Sequence, residues 1–177
     1  MKKQVFIING SGGVGKDTFV ELVSENFLLP VMNFSSVDKV KEVARIIGWT
    51  GGKSEKDRKF LSDLKLLCTD YNNMPFNSMQ DKVEEFLNSE TAMMLFLHIR
   101  EPEEIEKAKQ AFDAKTVLIK RKSVKPITSN MADGNVFNYV YDIVVHNNGD
   151  LNDYRAIAIK FIEDFTACSL QHDYWCK

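Results

Sequence analysis

The stretch Asn9-Gly10-Ser11-Gly12-Gly13-Val14-Gly15-Lys16-Asp17-Thr18 follows the apolar run Val5-Phe6-Ile7-Ile8 and leads into a helical pattern. It fits the phosphate-binding template G-x-x-x-x-G-K-[ST] at Gly10, Gly15 and Lys16, and departs from it at Asp17. Glycines let backbone N–H groups turn inward around phosphate oxygens, and the following helix presents its positive end to the same anion. The backbone from Gly12 through Gly13, Val14 and Gly15 to Lys16 is therefore the expected cradle. The Lys16 ammonium places a point charge beside the phosphates. Thr18, one position past the usual hydroxyl, still has an oxygen to offer a phosphate. Asp17 supplies a hard carboxylate oxygen for magnesium, directly or through a water. The competing reading is that Asp17 only favours the positive end of its helix.

Working outward, short apolar runs alternate with helical patterns, which predicts a parallel sheet with crossover helices. Strands are expected at 5–9, 30–35, 93–99, 116–120 and 142–146. The run from Met93 to Ile99 is continuously apolar, as in a strand buried on both faces. Helices are expected from about Lys16, around Val37 to Ile47, through Phe60, Leu61, Leu64, Leu67, Cys68 and Tyr71, around Met79 to Leu87, from Pro102, and from about Leu151. Ser78 with Asp81 reads as a cap for the fourth of these, and Ser36 as a cap for the second.

The chain has 177 residues, 44% hydrophobic and 27% charged, a composition for one globular domain with a substantial core. A net charge of −2 argues against a broad nucleic-acid surface. Cys68, Cys168 and Cys176 lack metal-ligand spacing and fit a reducing cytoplasm. The basic start Met1-Lys2-Lys3-Gln4 precedes an apolar run too short for a signal peptide, and no stretch is long enough to span a membrane. A GTPase reading lacks an Asn-Lys-x-Asp segment, and a motor-ATPase reading lacks an acidic pair at the end of the 93–99 strand.

At Gly15-Lys16-Asp17-Thr18 the chain resembles the phage-type deoxynucleoside monophosphate kinases of the P-loop nucleoside monophosphate kinase superfamily, which carry Gly-Lys-Asp in place of Gly-Lys-Ser/Thr. The animal-type phosphomevalonate kinases share that substitution. Similar in order are Arg58 in "EKDRKFLSDLK", Arg100 in "LFLHIREPEEI", the basic strand end "VLIKRKSVK" and the turn in "YDIVVHNNGDLNDY". The resemblance implies an α/β fold of the P-loop NTPase type: a three-layer sandwich with a five-stranded parallel sheet flanked by helices. It implies a single kinase domain over residues 1–168 with a lid at about 121–139, followed by a tail at 169–177. It further implies ATP and Mg2+ as cofactors and transfer of the γ-phosphate to a small phosphorylated acceptor. A nucleoside or deoxynucleoside monophosphate leads, with a phosphomevalonate-type acceptor as the alternative. The family often carries an Asp two residues before the strand-end Arg, where this chain has His98. That departure keeps a non-catalytic nucleotide-binding module open as a rival.

The expected roles follow from phosphoryl transfer, which needs positive charge, positioning and exclusion of water. Arg58 would hold the acceptor phosphate, or lie on a solvated helix face with Lys59, Asp63 and Lys65. Arg100 would face the ligand from a strand end, or pair with Glu101 or Glu104. Arg121 would be the lid cation of the cluster Lys120, Arg121, Lys122 and Lys125, with Lys122 and Lys125 equally well read as solvated charges, and the cluster lacks the interleaved aromatics of a nucleic-acid site. Asn148, in the turn Asn147-Asn148-Gly149, lies near the adenine by resemblance, while Asp150 reads as the cap of the last helix. Ser35, Ser36 and Asp38 would line the acceptor pocket. The partner expected is this small acceptor, with no nucleic acid and no membrane, for a monomer or homodimer.

Overall fold

Strand β1, Gln4–Asn9, alternates its side chains between two helical layers. Phe6 and Ile8 pack with the helix that follows the glycine loop, and Val5 and Ile7 pack on the opposite face. This is the period-two consequence of an extended chain, and here both faces are apolar because both are covered. The computed structural model describes the backbone of residues 2–52, 54–124 and 135–174, and side chains over the same ranges apart from 135 and 168–174.

The elements in chain order are β1, α1 (Lys16–Asn26), β2 (Val31–Ser35), α2 (Asp38–Ile46), α3 (Glu55–Asn72) and α4 (Met74–Asn88). They continue with β3 (Met94–His98), α5 (Pro102–Phe112), β4 (Lys115–Lys120), a 3-10 turn at Asn135–Asn138, β5 (Ile143–His146) and α6 (Leu151–Tyr174). The five strands form one parallel sheet in the order β2-β3-β1-β4-β5. Register pairs Phe6 with Phe96 and Ile8 with His98, so the loop after β1 and the residues after β3 emerge side by side.

One layer is made by α1 and α6. Phe6, Phe19, Phe96 and Phe161 form its centre, with Phe6 and Phe161 ring centroids 5.0 Å apart and Phe19 and Phe161 5.3 Å apart. The other layer is made by α4 and α5, through Met79, Val83, Phe86, Ile105 and Ala108. Full burial of each such side chain is worth about 1.5–3 kcal/mol. Helices α2 and α3 lie beside α4, with Val40 and Ala44 of α2 buried.

The expected fold holds, and several local expectations do not. Helix α4 begins at Met74, with Pro75 in its first turn, and Ser78 Oγ donates to Met74 O inside the helix rather than capping a start. Pro75 explains this, because its missing N–H costs nothing there. No side chain caps α2; the Ser36 N–H instead donates 3.2 Å to His98 O. In α3 the apolar stripe does not stay inside: Leu67 is 65% and Tyr71 84% exposed, whereas Lys65 is only 7% exposed. Leu87 of α4 and Ile47 after α2 are also exposed. Helix α6 continues past residue 168 to Tyr174. Lys125 and the middle of the expected lid, 125–134, lie outside the described residues.

Candidate active site

The glycine loop leaves the C-terminal end of the central strand and folds back over it. Gly10 has φ +147, and a Cβ there would lie 2.6 Å from Ile119 O of β4, so only glycine lets the chain pass this close. Gly15 has φ +96 and precedes the first residue of α1. A Cβ on it would meet Asn147 Nδ2 at 2.6 Å and Tyr154 Cε1 at 3.3 Å. Gly12 and Gly13 make the turn between them, and Val14 plugs into the core at 3% exposure. Lys16 folds over the loop, its Nζ donating to Gly10 O at 2.5 Å and Ser11 O at 3.0 Å. Thr18 is half-buried in the first turn of α1.

Three side chains that the sequence reading assigned no part in shaping the loop hold it in place. Asn9, fully buried, accepts from the Gly10 N–H at 2.8 Å and donates to Arg100 O at 3.1 Å and Tyr141 Oη at 2.8 Å. Tyr141 Oη donates onward to Val136 O at 2.9 Å, tying the end of the expected lid segment to the base of the loop. Burial pushes the Tyr141 hydroxyl up to about 12, so it stays a donor. Asn147 donates from Nδ2 to Val14 O at 2.9 Å and from its backbone to Lys120 O at 2.8 Å. Tyr154 Oη donates to Gly15 O at 2.9 Å. Burial raises Tyr154, and the Arg121 charge works the other way, which puts Arg121 within electrostatic reach of the loop. Asn148 Oδ1 accepts from the Lys122 N–H at 2.9 Å, so this turn also touches the base of the lid segment. Asp150 caps α6 through the N–H groups of Asn152 and Asp153.

Asp17 stands in the first turn of α1 with its side chain 86% exposed, and its Oδ1 lies 3.7 Å from His98 Nδ1. His98 ends β3 and is largely buried, with its Nε2 unpaired. Burial lowers His98 below its ordinary range. Asp17 and Asp38 pull it up again, and Lys16 and Lys41 push it down. These five groups therefore share one electrostatic neighbourhood at the strand ends. Asp38 accepts from the Ser35 N–H at 2.8 Å and pairs with Lys41 at 3.2 Å. It also lines a polar groove of about 570 Å3 between α2 and α4, with Phe34, Arg45, Ser78, Asp81 and Lys82.

Arg100 follows β3 on the same edge and is exposed. The expected alternative, an ion pair of Arg100 with Glu101 or Glu104, is taken by another cation: Lys65 of α3 donates to both carboxylates. Arg58 is exposed in the first turn of α3 and makes no ion pair among the described residues. A reciprocal cap sets that turn, Ser54 Oγ accepting from the Asp57 N–H and Asp57 accepting from the Ser54 N–H.

The donor set suits magnesium. No group of three or more His, Cys, Asp or Glu that could hold a metal exists among the described residues, and the loop offers the single exposed carboxylate of Asp17. Magnesium takes one or two carboxylates, substrate phosphates and several waters, which this arrangement permits. No described helix is long and apolar enough to cross a membrane.

No family profile matches the chain, and no curated protein does. Among solved structures the fold is similar to that of shikimate kinase from Aquifex aeolicus, at a TM-score of 0.53 and 15% identity, over 94% of this chain and 99% of that one. It is also similar to the tunicamycin resistance protein of Deinococcus radiodurans, at a TM-score of 0.54 and 8% identity, over 90% and 96% of the two chains. The chain has the fold of P-loop kinases, reached at low identity.

Proposed function

We propose that this protein is an ATP-dependent phosphotransferase that moves the γ-phosphate to a small phosphorylated acceptor, a nucleoside or deoxynucleoside monophosphate foremost. The observation that carries the reading is the loop itself. A glycine-rich turn with its lysine sits at the carboxyl end of the central strand of an open parallel sheet, where such sheets bind ligands. Backbone N–H groups from Gly12 to Lys16 would surround the donor phosphates, and Lys16 would leave the Gly10 and Ser11 carbonyls to neutralise them. Asn148 lies in the turn that would border the base, and Arg121 beside it would close on the donor. Arg100 and Arg58 would fork onto the acceptor phosphate. Asp17 would hold magnesium, directly or through a water, Thr18 would bond a phosphate oxygen, and the ion when bound would supply neutralisation of the donor's charge. The residues of the chain do the rest by positioning, since this transfer asks little covalent chemistry of the protein. Cysteines without metal-ligand spacing would suit a reducing cytoplasm, where the protein would act as a monomer or homodimer.

The test is ADP release from Mg-ATP against a panel of nucleoside and deoxynucleoside monophosphates and phosphomevalonate, with Lys16→Ala as control. Turnover with one monophosphate, lost in the control, supports the reading. Turnover with phosphomevalonate alone moves the acceptor class. Silence across the panel with ATP still bound favours a nucleotide-binding module without catalysis, the reading that the pairing of His98 with Asp17 keeps in play.

A further inference from the structure

Lys65 is the only buried charged residue among the described ones. Its Nζ donates to Glu101 Oε2 at 2.7 Å and to Glu104 Oε2 at 2.8 Å, so one cation serves two carboxylates. Buried ion clusters are weak stabilisers, because desolvation offsets most of the Coulombic gain. The arrangement is better understood from what it joins. Glu101 directly follows Arg100, and Glu104 lies in the first turn of α5. Lys65 sits seven residues after Arg58 in α3, which is two helical turns on nearly the same face, about 10 Å along the axis. The peptide of Arg100 is thereby held from both sides, by Asn9 of the central strand through its carbonyl and by α3 through the neighbouring Glu101.

We propose that Lys65 is a positioning residue for the acceptor. By clasping Glu101 and Glu104 it fixes α3, which carries Arg58, against the turn that carries Arg100, so that both arginines address one anionic group at a set separation. The proposal rests on the kinase reading above. The clasp also changes charge near neutrality. Burial and the Glu101 carboxylate push Glu104 up to about 7 against the pull of Lys65. Glu101, opposed by burial, is held below its ordinary value by Lys65. Glu104 also lines a small cleft of about 180 Å3, together with Glu103 and Lys107 of α5 and Thr69 and Asn73. Below the Glu104 transition the cluster is neutral; above it, it carries one unmatched negative charge.

Cys68, one turn after Lys65 in α3, is a free and half-buried thiol that reports on how firmly the helix is docked. With Cys168→Ser and Cys176→Ser it becomes the sole cysteine. In that background Lys65→Met, Lys65→Arg and Glu104→Gln are compared with the parent by four measurements. These are labelling of Cys68 by an aromatic disulfide reagent, the urea midpoint, the affinity for a fluorescent ATP analogue, and half-saturation by the monophosphate that the parent turns over. Lys65→Met is expected to raise Cys68 labelling and acceptor KM by about tenfold each, with ATP affinity changed less than about twofold, as for loss of one partner of a buried pair. Lys65→Arg restores most of both. In the parent, acceptor KM bends near pH 7, and Glu104→Gln removes the bend. The proposal is overturned if acceptor KM rises and ATP affinity falls together, both in proportion to the loss in urea midpoint, since that is a structural role only. It is equally overturned if labelling rises while acceptor KM stays put. A parent that turns over neither a monophosphate nor phosphomevalonate removes the kinase reading and the positioning claim with it, and raised labelling in Lys65→Met then marks a clasp without an acceptor.

Discussion

Gly15→Ala asks whether the phosphate loop is built against the turn after β5 or merely lies beside it. A Cβ at Gly15 would come within 2.6 Å of Asn147 Nδ2, on a backbone with φ +96. Gly13 is the internal control, with φ +81 and nothing within 4 Å of an added Cβ. Gly13→Ala therefore meets backbone strain alone, about 1–2 kcal/mol. Gly15→Ala meets that strain and also displaces the Asn147 amide from Val14 O, where it now donates at 2.9 Å. Leaving those buried groups unpaired adds about 1–3 kcal/mol. The expected cost is thus about 2–5 kcal/mol at Gly15 against about 1–2 at Gly13. Urea unfolding of both variants, of Asn147→Ala and of the Gly15→Ala/Asn147→Ala pair measures it. Because Asn147→Ala removes the atom that the new methyl strikes, the double variant loses less than the sum of the singles by about 1 kcal/mol or more. Equal costs at the two glycines, or additive losses in the double variant, would refute the account of the loop.

Other perturbations separate the remaining parts of the site. Asp17→Asn is expected to lower magnesium-dependent turnover by more than tenfold or so while ATP affinity changes little, checked by turnover against metal concentration; equal loss of both, or of neither, removes Asp17 from the metal role. Asn9→Ala strips three hydrogen bonds from a fully buried position and should cost about 3 kcal/mol or more in urea unfolding, with a cost under about 1 kcal/mol refuting its central place in the loop. The raised Glu104 carboxyl makes stability pH-dependent in a stated direction. The folded chain keeps this proton to about pH 7, whereas an ordinary glutamate releases it near 4.5. The contribution is therefore full below about pH 4.5 and lost as pH rises through 7, on the order of 1–3 kcal/mol, and Glu104→Gln should flatten that slope. A wild-type slope across this window that Glu104→Gln leaves unchanged would contradict the burial of the pair.

What could be seen in the sequence divides along physical lines. The strand, glycine loop and helix from Gln4 to Asn26 are local: their pattern, special backbone angles and charge sit within one short segment. The apolar run of β3 likewise announces burial on both faces. Periodicity foretold α3 as a helix, but the partner of each face depends on neighbours elsewhere in the chain. Leu67 and Tyr71 therefore lie outside, and Lys65, placed with the solvated charges, lies inside against Glu101 and Glu104. Within the site, Lys16, Asp17 and the glycines are legible because the phosphate template is contiguous. Asn147 and Tyr154 grip that loop from more than a hundred residues away, and only the placement of β5 beside β4 delivers them. Asn147 lies in a turn expected near the base, and Tyr154 lies on the buried stripe of the last helix; a polar tip on an otherwise apolar stripe is the available hint.

The position of β1 at the centre of the sheet has a consequence for synthesis. Its apolar segment precedes both of its partners in the chain: Gln4 pairs with Met94, about 90 residues later, and Phe6 with Lys115, later still. At roughly 5–20 residues per second a nascent chain carries this strand unpaired for about 5–20 s. Parallel pairing over such separations closes slowly and leaves an apolar edge open to other chains meanwhile. The segment that anchors the phosphate loop in the finished molecule is thus the one most in need of shelter while the molecule is being made.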